Sequence, residues 1–370
     1  MKYYILAGEA SGDLHGSNLM KALLKIDSKA DIRFWGGDLM QHAGGHLVKH
    51  YKERAFMGFS EVIMNLRKIF KLISFCKNDI EDFNPDVVIF IDNSGFNLRI
   101  AKWAKAKGFR TNYYISPQVW ASRASRVKAI KRDIDAMFVI LPFVKQFYKK
   151  YDYDVTFVGH PLIDAIANRK QVGEFKFRAK HKLTDKPIIA LLPGSRKQEI
   201  TKMLSVMLSL VDDFPEYQFV IAGAPSQDYE FYQSFIKNQN VSFISNKTYD
   251  LLSVSYAALV TSGTATLETA LFKVPQVVCY KGSSISYHIA KRIITLKYIS
   301  LVNLVMDKEV VTELIQNDFN KKRLKKELEL ILDDEKRKGL FHDYYELEQK
   351  LGGKGASEKT AKLIYNALKA

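Results

Sequence analysis

Apolar and polar positions along the chain follow two alternating rhythms. Short runs of β-branched and aromatic residues ending in Gly, Asn, Asp or Pro read as buried strands. Between them, apolar residues recur every three or four positions, as in amphipathic helices. In the first half the strand runs are Tyr3–Ala7, Ile32–Trp35, Val87–Ile91, Arg110–Ile115, Ala136–Leu141 and Val155–Val158, with helical patterns such as His15–Lys25, Leu98–Lys107 and Phe143–Tyr151 between them. From Gly159-His160-Pro161 to Lys186 the pattern weakens and turns polar, which reads as a linker. It then resumes with strands at Ile188–Leu192, Gln218–Ala222, Val241–Ile244, Ala257–Val260 and Gln276–Cys279, and helices at Gln198–Phe214, Tyr229–Lys237 and Ala265–Phe272. The last stretch changes character: Asn320–Asp333, Asp334–Leu351 and Ser357–Leu368 are charged helical segments with no strand between them.

Alternating strands and helices predict an α/β fold with two doubly wound, Rossmann-like parallel sheets facing a central cleft. The expected boundaries are 1–160, a linker region over 161–186, a second domain over 187–335, and C-terminal helices over 336–370 that pack on the first domain or on a partner chain in a homodimer. A chain of 370 residues suits two cores better than one. Tyr3–Ala7 is too short for a signal peptide and reads as the first strand, and no run of about 18 apolar residues suggests a membrane span. Two distant cysteines, Cys76 and Cys279, each in an apolar stretch, point to buried thiols in a reducing compartment rather than to a disulfide or zinc site.

The net charge of +16, from 56 basic and 40 acidic residues, changes the picture more. It suits nucleic acid, an anionic membrane or phosphorylated small molecules. No DNA- or RNA-binding motif accompanies it, so the expectation is no nucleic-acid partner. An amphipathic stretch from Phe56 to Phe83 interleaves Val62, Ile63, Leu66, Ile69, Phe70, Ile73 and Ile80 with Arg67, Lys68, Lys71 and Lys77, a pattern that fits a core-facing helix or a face that touches lipid. The basic run Arg123, Arg126, Lys128, Lys131 and Arg132 is a solvated face or a second contact with an anionic surface.

The candidate chemistry lies where strands end. Gly8-Glu9-Ala10-Ser11-Gly12-Asp13-Leu14-His15-Gly16 follows the first strand, with glycine spacing unlike the dinucleotide fingerprint. Asp13 reads as a cap on the next helix or as a base, while Glu9 between small residues has no evident packing role. Asp86 precedes the third strand and reads as a turn or cap; Asp92 ends that strand and suits acid–base work. Ser116-Pro117-Gln118-Val119-Trp120 offers a tryptophan to wall a sugar or lipid. In the second half, Pro193-Gly194-Ser195-Arg196 puts a cation at a helix N-terminus, an unfavourable place that calls for an anion nearby. Thr261-Ser262-Gly263-Thr264-Ala265-Thr266-Leu267-Glu268 is either a threonine-capped helix start or an anion-holding turn. Together the two turns could grip a diphosphate.

These segments, with Met57-Gly58-Phe59-Ser60-Glu61-Val62 and Ser300-Leu301-Val302-Asn303 in the same order along residues 3 to about 350, resemble the lipid-A-disaccharide synthase family, inverting glycosyltransferases of the GT-B fold. The resemblance implies transfer from UDP-2,3-diacylglucosamine to 2,3-diacylglucosamine 1-phosphate (lipid X), giving a β(1→6) disaccharide 1-phosphate. It implies no metal and no cofactor, and a site at the cytoplasmic face of an anionic inner membrane, with peripheral attachment. The first domain would hold acceptor and lipid through Ser11, Met57, Gln118 and Trp120; the second would hold the UDP-sugar through Gly194, Ser195, Arg196, Ser262, Gly263, Thr264, Glu268 on the ribose, and Asn303. Arg196 would also act catalytically on the leaving diphosphate. Relatives carry an aspartate where this chain has Gly95, just before Phe96-Asn97, so the base falls to Asp92 or Glu9, with Asp13 behind them. Ser122 and Val302 stand where tryptophan and proline are usual. The rival within the same fold is a UDP-N-acetylglucosamine 2-epimerase or a peptidoglycan glycosyltransferase.

Overall fold

A computed structural model of the chain describes residues 1–54, 66–122, 124–237, 239–282 and 297–370. It divides into two compact units, residues 1–167 with 351–370, and residues 168–350. In the first, seven parallel strands run in the order β3-β2-β1-β4-β5-β6-β7. They are β1 (Lys2–Ala7), β2 (Asp31–Gly36), β3 (His46–His50), β4 (Val87–Ile91), β5 (Thr111–Tyr114), β6 (Ala136–Val139) and β7 (Thr156–Phe157). In the second, six parallel strands run β10-β9-β8-β11-β12-β13. They are β8 (Ile188–Leu192), β9 (Gln218–Gly223), β10 (Val241–Ser245), β11 (Ser255–Thr261), β12 (Gln276–Tyr280) and β13 (Glu313–Ile315).

Both sheets are doubly wound. In each, the strand order reverses beside the first strand, between β1 and β4 and between β8 and β11, and the loops leaving the carboxyl ends there border a crevice. The central strands are apolar runs because helices cover both their faces: Tyr3–Ala7 of β1, Val87–Ile91 of β4 and Ile188–Leu192 of β8 are buried throughout. The edge strands escape that rule. β3 is His-Leu-Val-Lys-His and only partly buried, and β13 has three residues, so neither carries a strand signal in the sequence.

The polar stretch read as a linker is more ordered than expected. It contains the helices Pro161–Ala167, which belongs to the first unit, and Glu174–His181, which belongs to the second. The helix expected over Gln198–Phe214 runs Lys197–Leu208 and gives way to a short 3-10 turn, Val211–Asp213. Two helices start earlier than their apolar periodicity suggests, at Ala10 and Ser94. The small-residue loops after β1 and β4 are therefore first helical turns, which aims their N–H groups at the crevice.

The final helix, Ala356–Lys369, packs on the helix Ala10–Ile26, and its Ala361 and Ile364 join Leu19, Met20 and Leu23 in the core of the first unit. Asp164 holds its start, accepting the N–H groups of Gly355 (2.7 Å) and Ser357 (3.2 Å). No helix among the described residues is long and apolar enough to cross a membrane. Cys76 and Cys279 are both buried.

Candidate functional site

In the first unit, the β1 and β4 loops meet at the switch point. Gly8 allows this: a Cβ there would lie 1.8 Å from Nδ2 of Asn93. Asp92 and Asn93 both adopt left-handed backbone (φ 45° and 43°), unusual for two successive non-glycine residues, and turn the chain sharply into the helix Ser94–Ala106. That turn is pinned from inside. Nδ2 of Asn97 donates to the carbonyls of Leu6 (3.3 Å), Ile91 (3.1 Å) and Asp92 (2.9 Å), and the Tyr113 hydroxyl also donates to the Asp92 carbonyl. Burial pushes the Asp92 carboxyl up to about 6, the negative charge of Glu9 adds to the rise, and the Asn93 N–H opposes it. Glu9 is the exposed, extended N-cap of the helix Ala10–Ile26, and Ser11 is exposed in its first turn. Two carboxylates thus share the switch point, one half-buried and one in water.

Asp13 corrects both expectations made for it. It lies within the helix it was expected to cap, and it is 3% exposed. Its Oδ1 accepts the N–H groups of Gly37 (2.7 Å) and Met40 (3.0 Å), and its Oδ2 that of Leu39 (3.0 Å). Asp13 caps the helix Asp38–Ala43, and its carboxylate is committed to that task. Asp86 accepts the Lys2 N–H at 2.7 Å, the structural role read for it. A side chain at Gly95 would meet nothing within 4 Å, so the glycine is not required by packing.

The loop after β5 opens on Ile115, whose φ of 66° is strained for a β-branched residue. Gln118 is exposed, while Trp120 is partly buried and meets Phe143 edge-on at 4.9 Å, so it walls the loop rather than projecting freely. Met57 and Arg123 lie outside the described residues, as does the Met57–Val62 motif. The described part of the amphipathic stretch, the helix Leu66–Phe83, divides its apolar residues between two readings. Ile73, Cys76 and Ile80 face the core, whereas Phe70 (62% exposed) and Phe75 (48%) face out beside exposed Arg67, Lys68 and Lys71.

In the second unit, the turns after β8 and β11 are neighbours across the switch point. Gly194, at φ 108°, turns the first of them, and a Cβ there would lie 3.6 Å from the Thr261 methyl. Ser195 is held by its carbonyl, which accepts the Ser226 hydroxyl (2.9 Å) and the Gln227 amide (3.4 Å). Arg196 is the N-cap of the helix Lys197–Leu208 and its side chain is 82% exposed. The anion that its position demanded is internal: Glu199 accepts from Arg196 Nη1 at 3.2 Å and from the Ser195 and Arg196 N–H groups at 3.4 Å. An acidic residue at the third helical position is a capping-box signal legible in the sequence. An exposed pair of this kind is weak and exchangeable.

The β11 turn carries exposed Gly263 and Thr264 at the start of the helix Thr264–Leu271, with Gly263 at φ 153°. Thr266 turns inward, its hydroxyl donating to the Gly263 carbonyl at 2.8 Å. Ser262 donates its proton to the Ile299 carbonyl at 3.0 Å, whereas Thr264 is exposed at the helix start. Glu268, one turn further in, accepts the Tyr249 hydroxyl at 2.9 Å; burial raises its carboxyl and that hydrogen bond opposes the rise.

Asn303 does not reach this site. It is fully buried, and its Nδ2 donates to the Val311 carbonyl (2.8 Å) and Glu313 (2.9 Å) while its Oδ1 accepts from the N–H groups of Val310 (2.8 Å) and Val311 (3.0 Å). Both donors and both acceptor positions are filled, which leaves nothing for a nucleotide. Glu313 completes the brace by accepting the N–H groups of Ile299 and Ser300 at 2.9 Å. Tyr249 and Glu313 were not singled out from sequence, and Asn97 entered only as part of the Phe96-Asn97 motif after the third strand.

Comparison with known proteins places this geometry in context. The family model described as lipid-A-disaccharide synthetase matches residues 3–366. The chain is 40% identical to the lipid-A-disaccharide synthase of Syntrophus aciditrophicus, over 99% of this chain and 97% of that one. It is 37% identical to that of Geobacter metallireducens, over 98% and 96%. Among solved structures it is similar to the S. aureus MnaA–UDP co-structure (TM-score 0.71, 17% identity, 100% and 97% covered) and to the UDP-GlcNAc 2-epimerase of Neisseria meningitidis bound to UDP-GlcNAc (TM-score 0.67, 13% identity, 100% and 99% covered). At such identities the structural likeness speaks for the fold alone, an α/β architecture of GT-B type.

Proposed function

The chain belongs to the lipid-A-disaccharide synthetase family, and from that premise we propose how its two sets of strand-end loops divide the work of sugar transfer. It is a UDP-sugar-using glycosyltransferase of lipid A biosynthesis with lipid substrates; the epimerase alternative is not favoured, since full-length relatives at 40% and 37% identity are synthases. The donor is UDP-2,3-diacylglucosamine and the acceptor lipid X. The observation that carries the division of labour is the pairing of two phosphate-type turns across the β8/β11 switch point of the second unit.

In this reading the diphosphate lies over the Gly194–Arg196 and Ser262–Thr264 turns. Arg196 leaves Glu199 for the phosphates, and the positive ends of the two helices, with the Thr264 hydroxyl, meet the charge that develops as UDP departs. Preorganised donors of this kind are each worth about 3 kcal/mol. Glu268 takes the ribose hydroxyls. In the first unit, Asp92 accepts the proton of the acceptor 6-hydroxyl as that oxygen attacks the anomeric carbon and the bond to UDP breaks. A carboxyl raised to about 6 is strong enough as a base and still ionised near neutral pH. Glu9 keeps it raised, and Ser11, Met57, Gln118 and Trp120 border the acceptor.

Attachment is peripheral, at the cytoplasmic face of an anionic inner membrane, supported by the +16 charge and by Phe70 and Phe75 beside Arg67, Lys68 and Lys71. Each basic residue near such a surface is worth about 1 kcal/mol. The test is incubation with UDP-2,3-diacylglucosamine and lipid X on vesicles: release of UDP with a tetraacyl disaccharide 1-phosphate is expected. Hydrolysis to free sugar, or epimerised UDP-sugar, would overturn the reading. Flotation with the vesicles that ignores anionic lipid content and salt would overturn the attachment.

A further inference from the structure

Tyr249, whose hydroxyl meets Oε1 of Glu268, comes from the short helix Thr248–Leu252 and is held on two sides. Its ring packs on Phe272 with centroids 5.4 Å apart. The guanidinium of Arg169 lies 4.9 Å from the centre of the same Phe272 ring and pairs at 3.6 Å with Asp250, the neighbour of Tyr249. Arg169 and Asp250 are mostly buried, with side chains 17% and 15% exposed, so this bracket is not a mobile surface contact. It fixes the tyrosine ring and with it the direction of the phenolic O–H.

A glutamate one turn into a helix has three side-chain torsions to settle before it can receive two hydroxyls in a set geometry. A donor fixed on Oε1 settles them in advance and orients Oε2 and the remaining lone pairs of the carboxylate for a ligand. A ribose offers two adjacent O–H donors; a 2′-deoxyribose offers one. We infer that Tyr249 is the positioning residue that sets Glu268 for a ribose diol, and that it thereby fixes the preference of the nucleotide site for a ribonucleotide over its 2′-deoxy counterpart. The inference rests on the reading that Glu268 meets the ribose.

The experiment is calorimetric titration of the full chain with UDP and with 2′-deoxyuridine diphosphate, for the unsubstituted protein, Tyr249→Phe and Glu268→Gln. A hydrogen bond to a charged group corresponds to about a tenfold to hundredfold preference for UDP in the unsubstituted protein. Tyr249→Phe keeps the ring and its contact with Phe272, and is expected to lower that preference severalfold by weakening UDP while leaving the deoxynucleotide almost unchanged. An unchanged ratio overturns the inference, as does an equal loss for both nucleotides with a lowered melting temperature, which marks a purely structural tyrosine. If the unsubstituted protein and Glu268→Gln both bind the two nucleotides equally, the ribose role of Glu268 itself fails, and the inference with it.

Discussion

Replacing Asp92 by Asn is expected to move stability and activity in opposite directions. The carboxyl stands at about 6 in the folded protein against an ordinary value of 3.8, chiefly because burial disfavours its charge and secondarily because of Glu9. An acid raised on folding stabilises the fold below its unfolded value and loses that contribution as pH rises from about 4 to about 6. Above pH 6 the ionised carboxylate costs the fold up to about 3 kcal/mol, from two units at about 1.4 kcal/mol each, and less where solvent screens it. The neutral amide removes that cost and can still accept the Asn93 N–H. Asp92→Asn should therefore melt higher than the unsubstituted protein at pH 8, by about 2–4 °C per kcal/mol, and lose the advantage towards pH 4. Over the same range its turnover should fall by about 10²–10⁴, the usual contribution of a positioned base. Differential scanning fluorimetry across pH, beside release of UDP in the transfer assay, reads both quantities. Near-normal turnover would rule out Asp92 as the base; a variant less stable at pH 8 than at pH 5, relative to the parent, would refute the electrostatic reasoning.

The other expectations divide the second unit between ligand contact and brace. Arg196→Ala should weaken UDP binding and turnover together, because the side chain is exposed and paired with Glu199 at the surface, while the melting temperature stays within the small range typical of surface changes; unchanged UDP affinity in titration would remove Arg196 from the diphosphate. Asn303→Ala should do the reverse, since it strands the Val311 N–H and takes one partner each from the Val310 N–H, the Val311 carbonyl and Glu313. A loss of about 2–5 kcal/mol in denaturant unfolding is expected, with the folded fraction still binding UDP normally.

The central strands were legible because a parallel sheet covered on both faces requires unbroken apolar runs, and Tyr3–Ala7, Val87–Ile91 and Ile188–Leu192 supply them. The alternation placed the chemistry-bearing loops at strand ends, and those after β1, β4, β8 and β11 flank the two switch points. Edge strands β3 and β13 were not legible, since a strand with one neighbour and a wet face has no need of such a run. Side-chain partnership was the other blind spot. Asp13, Asn303 and Glu268 are equally polar in the sequence, yet Asp13 and Asn303 serve backbone N–H groups inside the fold and Glu268 is held by a tyrosine 19 residues away. Only distance in space separates a brace from a ligand contact. The family motif at Ser300–Asn303 illustrates this, since its resemblance was informative about kinship while its asparagine supports a turn.

The return of residues 351–370 to the first unit has a consequence for how the chain is made. Residues 1–167 leave the ribosome first, but the helix that covers Leu19, Met20 and Leu23 is encoded at the far end, behind the whole second unit. At about 5–20 residues per second, the interval is on the order of 10–40 s. For that time, while the second unit is still being made, the nascent first unit carries an uncovered apolar groove along the helix Ala10–Ile26. Holdase capture, early aggregation and sensitivity to C-terminal tags should all concentrate on that groove, far in sequence from the residues whose absence exposes it.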